Sequence, residues 1–234
     1  MKRIILVVNY EGEGNPRLCQ NSRDSIMNAV ARWGCEFIEL NHNTLPLTVA
    51  PAAAKTQLFT DVDADEALVL DSDVIIREDT PSPFEFFPKD CMTVIENVVT
   101  HRRQGEYTQI KFLERDEWSR VENEFGPAPY IAEKYFNSGV MLVRKNLHED
   151  IFKMALKMHK RCCEINLGLG WVDQTLFNYA TAKLNIKMNY ADEEWNFVWS
   201  NQLPDYYNMK KYIYHFAGDP SRNQELPKIN WRIF

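Results

Sequence analysis

Three short strand-like stretches, at 4–8, 36–40 and 67–70, are separated from one another by segments of helical character. The first, Ile4-Ile5-Leu6-Val7-Val8, has strand length and is followed directly by turn residues. Beyond the loop at 11–16, Ile26, Val30 and Trp33 recur at steps of four and three, which predicts a helix ending at Gly34. Residues 36–40 alternate as a second strand, the alanine-rich 52–59 predicts a helix, and 67–70 is a third strand. Strand, helix, strand, helix, strand is the pattern of a parallel sheet wound with crossover helices. The expected fold class is therefore α/β, with a mostly parallel central sheet flanked by helices. At 234 residues, one domain spanning 1–234 is the simpler reading.

Further strands are expected at 92–95, 139–143 and 212–216, and a helix at 173–183. Asn146 and Glu149 have the spacing of a capping box, opening a helix that carries Ile151, Ala155, Met158 and Cys162 on one face. Residues 100–134 lose clear periodicity and are expected to form an irregular excursion, with 219–234 a C-terminal tail.

Composition narrows the function classes. With 45% hydrophobic and 26% charged residues the chain is globular rather than disordered or fibrous. A net charge of −6 disfavours nonspecific nucleic-acid binding unless positive charge is locally concentrated. The five-residue amino-terminal run is too short for a secretory core or a membrane span, and no later run approaches spanning length. Five cysteines, an odd number without zinc spacing, predict free thiols and a cytoplasmic protein.

Chemistry concentrates at Leu68-Val-Leu-Asp71-Ser72-Asp73-Val-Ile-Ile76, a buried strand ending in two carboxylates one residue apart. Ligands of open α/β sheets bind beyond the carboxyl ends of strands. Two carboxylates this close repel unless a proton or cation separates them, and Mn²⁺ or Mg²⁺ with oxygen ligands resolves the conflict. Two enzyme classes use such a pair. One holds the metal of a nucleotide-sugar diphosphate. The other, the haloacid dehalogenase-like phosphatases, would use Asp71 as nucleophile and Asp73 as acid/base. That motif normally lies on the first strand of its fold, and it needs a later acidic pair; Gly218-Asp219-Pro220-Ser221-Arg222 offers one acid. The phosphatase is the runner-up.

Four segments follow the double-Asp strand in order: Tyr135-Phe136-Asn137-Ser138-Gly139, Asp173-Gln174, Trp195-Asn196-Phe197 and His215-Phe-Ala-Gly218. Together with Lys55 they make the chain resemble glycosyltransferase family 8, the retaining, glycogenin-like and galactosyltransferase-like enzymes of GT-A fold, from about residue 4 to 218. The resemblance implies that Asp71, Asp73 and His215 hold Mn²⁺ or Mg²⁺. It implies donor contacts from Asn9, Tyr10, Lys55, Ser72, Asn137, Ser138, Gly139 and Gly218. Asp173 would bond the donor sugar, and Gln174 would lie beneath the anomeric carbon as nucleophile or as stabiliser of a cationic transition state. The implied reaction moves a hexose from a nucleoside-diphosphate sugar, UDP-glucose or UDP-galactose, to a hydroxyl of a glycan acceptor.

Three departures qualify the resemblance. Asn9-Tyr10 stands where the family offers an acid to uracil, so uridine is less secure. The diphosphate lysine after His-x-x-Gly is missing, and Arg222 is its candidate substitute. Ser138 stands where alanine is common. Arg102, Arg103, Tyr107 and Trp118, with Trp195, are expected on the acceptor side. The basic residues there, Arg102, Arg103, Lys111, Arg115 and Arg120, admit a DNA-base acceptor bearing a hydroxyl, although Glu106, Glu114, Asp116 and Glu117 cancel much of their charge.

Overall fold

The structure is a computed structural model that describes residues 1–9, 20–41, 51–96, 104–130, 132–170, 172–198 and 211–216. In chain order the elements are β1 (Arg3–Val8), α1 (Gln20–Trp33), β2 (Glu36–Leu40), a 3₁₀ segment (Pro51–Gln57), β3 (Glu66–Leu70), β4 (Val74–Ile76), α2 (Pro83–Phe86) and β5 (Met92–Glu96). The second half supplies α3 (Gln104–Phe125), β6 (Phe136–Arg144), α4 (Lys145–Glu164), α5 (Val172–Lys183), β7 (Met188–Ala191), β8 (Phe197–Val198) and β9 (Ile213–His215).

Six strands form the central sheet in the order β2-β1-β3-β6-β5-β7. The pairs β1–β2, β1–β3 and β5–β7 are parallel, while β6 runs antiparallel to both its neighbours. The sheet is thus mostly parallel with one reversed strand, and helices cover both faces. The central strands read as unbroken apolar runs because neither face meets water. Successive side chains enter opposite layers: Ile4, Leu6, Ala67, Val69, Met141 and Val143 pack on one side with Phe152 and Phe177. Ile5, Val7, Leu68, Leu70, Val140 and Leu142 pack on the other with Ile26, Phe84 and Trp195. A second, three-stranded sheet has the order β4-β9-β8.

Two irregularities prepare the site. Pairing between β5 and β6 jumps from Val94↔Met141 to Ile95↔Asn137, so Ser138, Gly139 and Val140 form a bulge on β6. Such a bulge re-aims side chains. Beyond the end of β3 the Asp71 N–H still donates to the Gly139 carbonyl at 3.0 Å, which holds the first carboxylate residue against that bulge.

Three expectations are corrected. The stretch 100–134 is no irregular excursion, since most of it is the 22-residue helix α3. Its inward side includes the fully buried Glu114 and the buried Glu117 beside Trp118 and Val121, so acids interrupt the apolar stripe from which a helix is read. The alanine-rich 52–59 is helical only as a 3₁₀ helix ending at Gln57, and Phe59 follows it with φ 65°. The capping box at Asn146 and Glu149 does not form. Helix α4 instead begins at Lys145, where the Arg144 N–H donates to Nδ1 of His148 at 2.8 Å and Glu149 pairs with Lys153.

Cys35, Cys91, Cys162 and Cys163 are free thiols, and Cys19 and the tail at 219–234 lie outside the described residues. No helix among the described residues is long and apolar enough to cross a membrane.

Candidate active site

The chain leaves β3 at Leu70, passes through Asp71, Ser72 and Asp73, and enters β4. Antiparallel pairing of β4 with β9 sets Val74 opposite His215, and the Phe216 N–H donates to the Asp73 carbonyl at 2.9 Å. That register brings the imidazole to the carboxylate pair. His215 Nε2 lies 3.3 Å from Asp71 Oδ2 and 3.2 Å from Asp73 Oδ1. One ligand atom from each residue falls within 4.8 Å of the others.

The electrostatics of this triad set the cost of burial against the attraction between the imidazole and the two carboxylates. Burial alone would lower the His215 pKa, yet Asp73 and Asp71 raise it to about 9. Burial likewise pushes the Asp71 carboxyl up, but Lys55 and His215 hold it well below the usual carboxylate range. A proton on His215 therefore serves the carboxylates together with the Lys55 ammonium. Two carboxylate oxygens and a neutral imidazole nitrogen also suit a divalent cation such as Mn²⁺ or Mg²⁺, and the residues present fit one. Asp71 is the open member at 31% side-chain exposure, against 1% for His215, so the triad meets solvent on its side.

Lys55 sits deeper than a donor contact would. Its Nζ lies 2.5 Å from Asp71 Oδ1, 2.8 Å from Asp173 Oδ2 and 3.1 Å from the Ser138 carbonyl, with the residue 3% exposed. Burial opposes the ammonium charge, but Asp173 and Asp71 outweigh it and raise the pKa above its ordinary value. Lys55 thus bridges the carboxylate triad to the first turn of α5. There the Ser138 hydroxyl also donates to Asp173 Oδ2 at 2.9 Å, and Asn137 Nδ2 donates to Gln174 Oε1 at 3.0 Å. Asn137 Oδ1 accepts from the Gly139 N–H and from Asn196 Nδ2, each at 2.9 Å, while Asn196 Oδ1 meets His215 Nδ1 at 3.0 Å. The structure therefore brings together Asp71, Ser72, Asp73, Lys55, Asn137, Ser138, Gly139, Asp173, Gln174 and His215.

Other expected residues are not at this cluster. Asn9 extends the β1–β2 edge, its N–H donating to the Leu40 carbonyl and its amide nitrogen to Glu39. Trp118 packs in the core against Tyr130 and Tyr179, and Trp195 packs among Phe86, Phe87 and Tyr212. Both indoles are buried, so neither offers a face to an acceptor sugar, which corrects that expectation. Tyr107 falls on α3. Tyr10, Arg102, Arg103, Gly218 and Arg222 lie outside the described residues.

Two contributors have no assigned role in the sequence reading. Asn196 belongs to the Trp195-Asn196-Phe197 segment but joins the cluster only through its partners. Glu117, on α3, accepts the Gly170 N–H at 2.6 Å and the Thr175 hydroxyl at 2.5 Å, beside the turn that carries Asp173 and Gln174. Nothing in its own segment marks it, because its partners are more than fifty residues away.

No protein-family model matches the sequence, and no curated protein matches it. Solved structures do resemble it. The galactosyltransferase LgtC, in complex with donor and acceptor sugar analogs, aligns over 97% of this chain and 96% of its own, at 18% identity and TM-score 0.55. A glycosyltransferase involved in glycosylation of the major capsid of PBCV-1 aligns over 98% and 100%, at 13% identity and TM-score 0.60. Mouse xyloside xylosyltransferase 1 aligns over 92% and 97%, at 14% identity and TM-score 0.50. At these identities the likeness establishes the fold, which is that of the GT-A glycosyltransferases.

Proposed function

On a GT-A fold with two carboxylates and an imidazole converging at the end of β3, we propose that this protein is a metal-dependent, retaining glycosyltransferase of the family 8 type. It moves a hexose from a nucleoside-diphosphate sugar, UDP-glucose or UDP-galactose, to a hydroxyl of a glycan. The observation that carries this reading is a buried lysine, Lys55, that links the carboxylate triad to Asp173. In this reading the diphosphate would lie at the triad and the sugar beside Asp173, next to each other as the transfer requires.

Asp71, Asp73 and His215 would hold Mn²⁺ or Mg²⁺, which when bound stabilises negative charge growing on the leaving diphosphate. The protein's own residues do the rest. Lys55 and Ser138 occupy Oδ2 of Asp173, leaving its Oδ1 for hydroxyls of the donor sugar. Asn137 holds Gln174 Oε1, so the amide oxygen keeps a second lone pair for positive charge developing at the anomeric carbon. A neutral amide is a weak nucleophile, which favours transfer on the face the nucleotide leaves. The departing phosphate then takes the acceptor proton, and no protein base is needed. Tyr10, Gly218 and Arg222 complete the donor contacts in this reading.

The competing readings find less support. Of the basic residues that suggested a DNA acceptor, Lys111 pairs with Glu114, Arg115 lies over the Tyr130 ring, and Arg120 binds Asp116 and the Gly168 carbonyl. A phosphatase would need a free Asp71 oxygen for attack, whereas Oδ1 is held by Lys55 and Oδ2 faces His215.

The test is a screen of nucleotide sugars with Mn²⁺, following nucleotide release and the anomeric configuration of the freed or transferred sugar. The expected result is slow hydrolysis of at least one donor, abolished by EDTA, with retained configuration. Turnover of p-nitrophenyl phosphate together with inert nucleotide sugars would overturn the proposal in favour of the phosphatase.

A further inference from the structure

The four amide and imidazole side chains beside the bulge form one continuous hydrogen-bonded chain, His215–Asn196–Asn137–Gln174. Amide groups can in principle be turned end for end, and an imidazole carries its proton on either nitrogen. One group in this chain has no such freedom. The Gly139 backbone N–H can only donate, and it points at Asn137 at 2.9 Å. The Asn137 atom it meets must therefore be the carbonyl oxygen.

Every later orientation follows from that one. With its oxygen toward Gly139, Asn137 presents its NH₂ to Gln174, which must answer with Oε1. The second group on the Asn137 oxygen must also be a donor, which is Asn196 Nδ2. Asn196 is then left with its oxygen facing His215 Nδ1, and that nitrogen must carry a hydrogen. Reversing Asn196 would set two carbonyl oxygens against each other at about 3 Å, without a proton between them. Asn196 and Asn137 are 3% exposed and partly buried respectively, so water offers little alternative to Asn196.

We infer that Asn196 is a positioning residue with two tasks, holding the proton of His215 on Nδ1 so that Nε2 faces the cation, and reinforcing, as the second donor on the Asn137 oxygen beside the Gly139 N–H, the direction of the Gln174 amide. The inference rests on the proposed glycosyltransferase reading and adds to it a residue that touches neither donor nor metal. A neutral imidazole binds a metal through the nitrogen without the proton, and the partner of the other nitrogen decides which that is. The same amide chain couples the metal triad to the atom proposed to face the anomeric carbon, so the two halves of the site share one orientation.

Two substitutions separate these tasks. In Asn196→Asp a carboxylate still accepts the Nδ1–H but has no N–H for Asn137. In Asn196→Leu, of similar size, both links are gone. Mn²⁺ affinity, measured by calorimetry on the donor-free protein, reports the first task, and kcat against donor KM reports the second. Thermal melts verify folding, and Asn137→Asp, which keeps the contacts to Gly139 and Asn196 but cannot donate to Gln174, gives an independent arm.

Asn196→Asp and Asn137→Asp should bind Mn²⁺ within about threefold of wild type while kcat falls about tenfold or more, with donor KM nearly unchanged in Asn196→Asp. Asn196→Leu should weaken Mn²⁺ by about tenfold or more as well, the usual range for losing a ligand's outer partner. Wild-type Mn²⁺ affinity in a folded Asn196→Leu would overturn the first task, and wild-type kcat in both Asp variants the second. Either result leaves the glycosyltransferase reading intact, because wild-type turnover tests that separately. A wild-type protein that neither binds Mn²⁺ nor turns over any nucleotide sugar would overturn both.

Discussion

A Cβ added to Gly139 would stand 2.2 Å from Cε1 of His215 and 2.7 Å from its Nδ1. The glycine is required there by the imidazole rather than by backbone conformation. The ring has no route of retreat, being 1% exposed and tied to Asn196 on one side and to the carboxylates on the other. Gly139→Ala should therefore displace His215 and weaken Mn²⁺ binding about ten- to a hundredfold while the protein stays folded. Calorimetric titration checks this, and unchanged affinity would show that the ring has room the structure does not show.

Asp73 and His215 test the triad directly. Asp73→Asn removes a charge on which a cation depends, and turnover should drop about a hundredfold or more at saturating Mn²⁺. His215→Phe keeps an apolar ring of similar volume in β9, so the fold should survive with a raised metal requirement. Normal metal dependence in a folded His215→Phe protein would remove the third ligand from the site.

Lys55 is the positive charge shared by Asp71 and Asp173. Removing one member of a buried ionic group strands the others, which costs about 3 kcal/mol or more. Lys55→Ala should lower unfolding stability by roughly that amount in EDTA. Part should return with excess Mn²⁺, because a ligand that binds only the native state stabilises it. Denaturant melts with and without metal measure both effects, and an unchanged EDTA midpoint would mean that the bridge contributes nothing.

The start of α4 carries its own pH dependence. Burial, helped by Arg144, lowers the His148 pKa from 6.5 to about 4 while Nδ1 accepts the Arg144 N–H. The unfolded chain thus binds the more protons between pH about 4 and 6.5. The contribution of His148 is complete above 6.5 and is lost as pH falls through that window, by an amount on the order of 3 kcal/mol. His148→Gln should be less sensitive than wild type to a shift from pH 7 to 4.5 in chemical denaturation. Parallel losses in the two proteins would place the acid sensitivity elsewhere.

The amino-acid sequence alone determined β1, β2, β3, β5, β6 and β9 and the position of the Asp-x-Asp pair, but not the short β4, β7 and β8. Both faces of the central sheet are covered, so burial appears locally as the apolar runs at 4–8 and 67–70, and the two acids stand out at the end of one of them. Tertiary structure alone decided the reversal of β6, the bulge at Ser138-Gly139-Val140, and the burial of Trp118 and Trp195. It also decided the helix at 104–125, whose acids Glu114 and Glu117 are buried, Glu114 beside Lys111 and Glu117 bonded to the Gly170 N–H and the Thr175 hydroxyl, yet read from sequence as solvated. The meeting of His215 with Asp71 and Asp73 depends on the register of β4 against β9, and that of Lys55 with Asp173 on packing between segments more than a hundred residues apart. Local residue patterns record which side chains are buried; which of them touch is set by strand register and helix packing, which no short stretch of sequence contains.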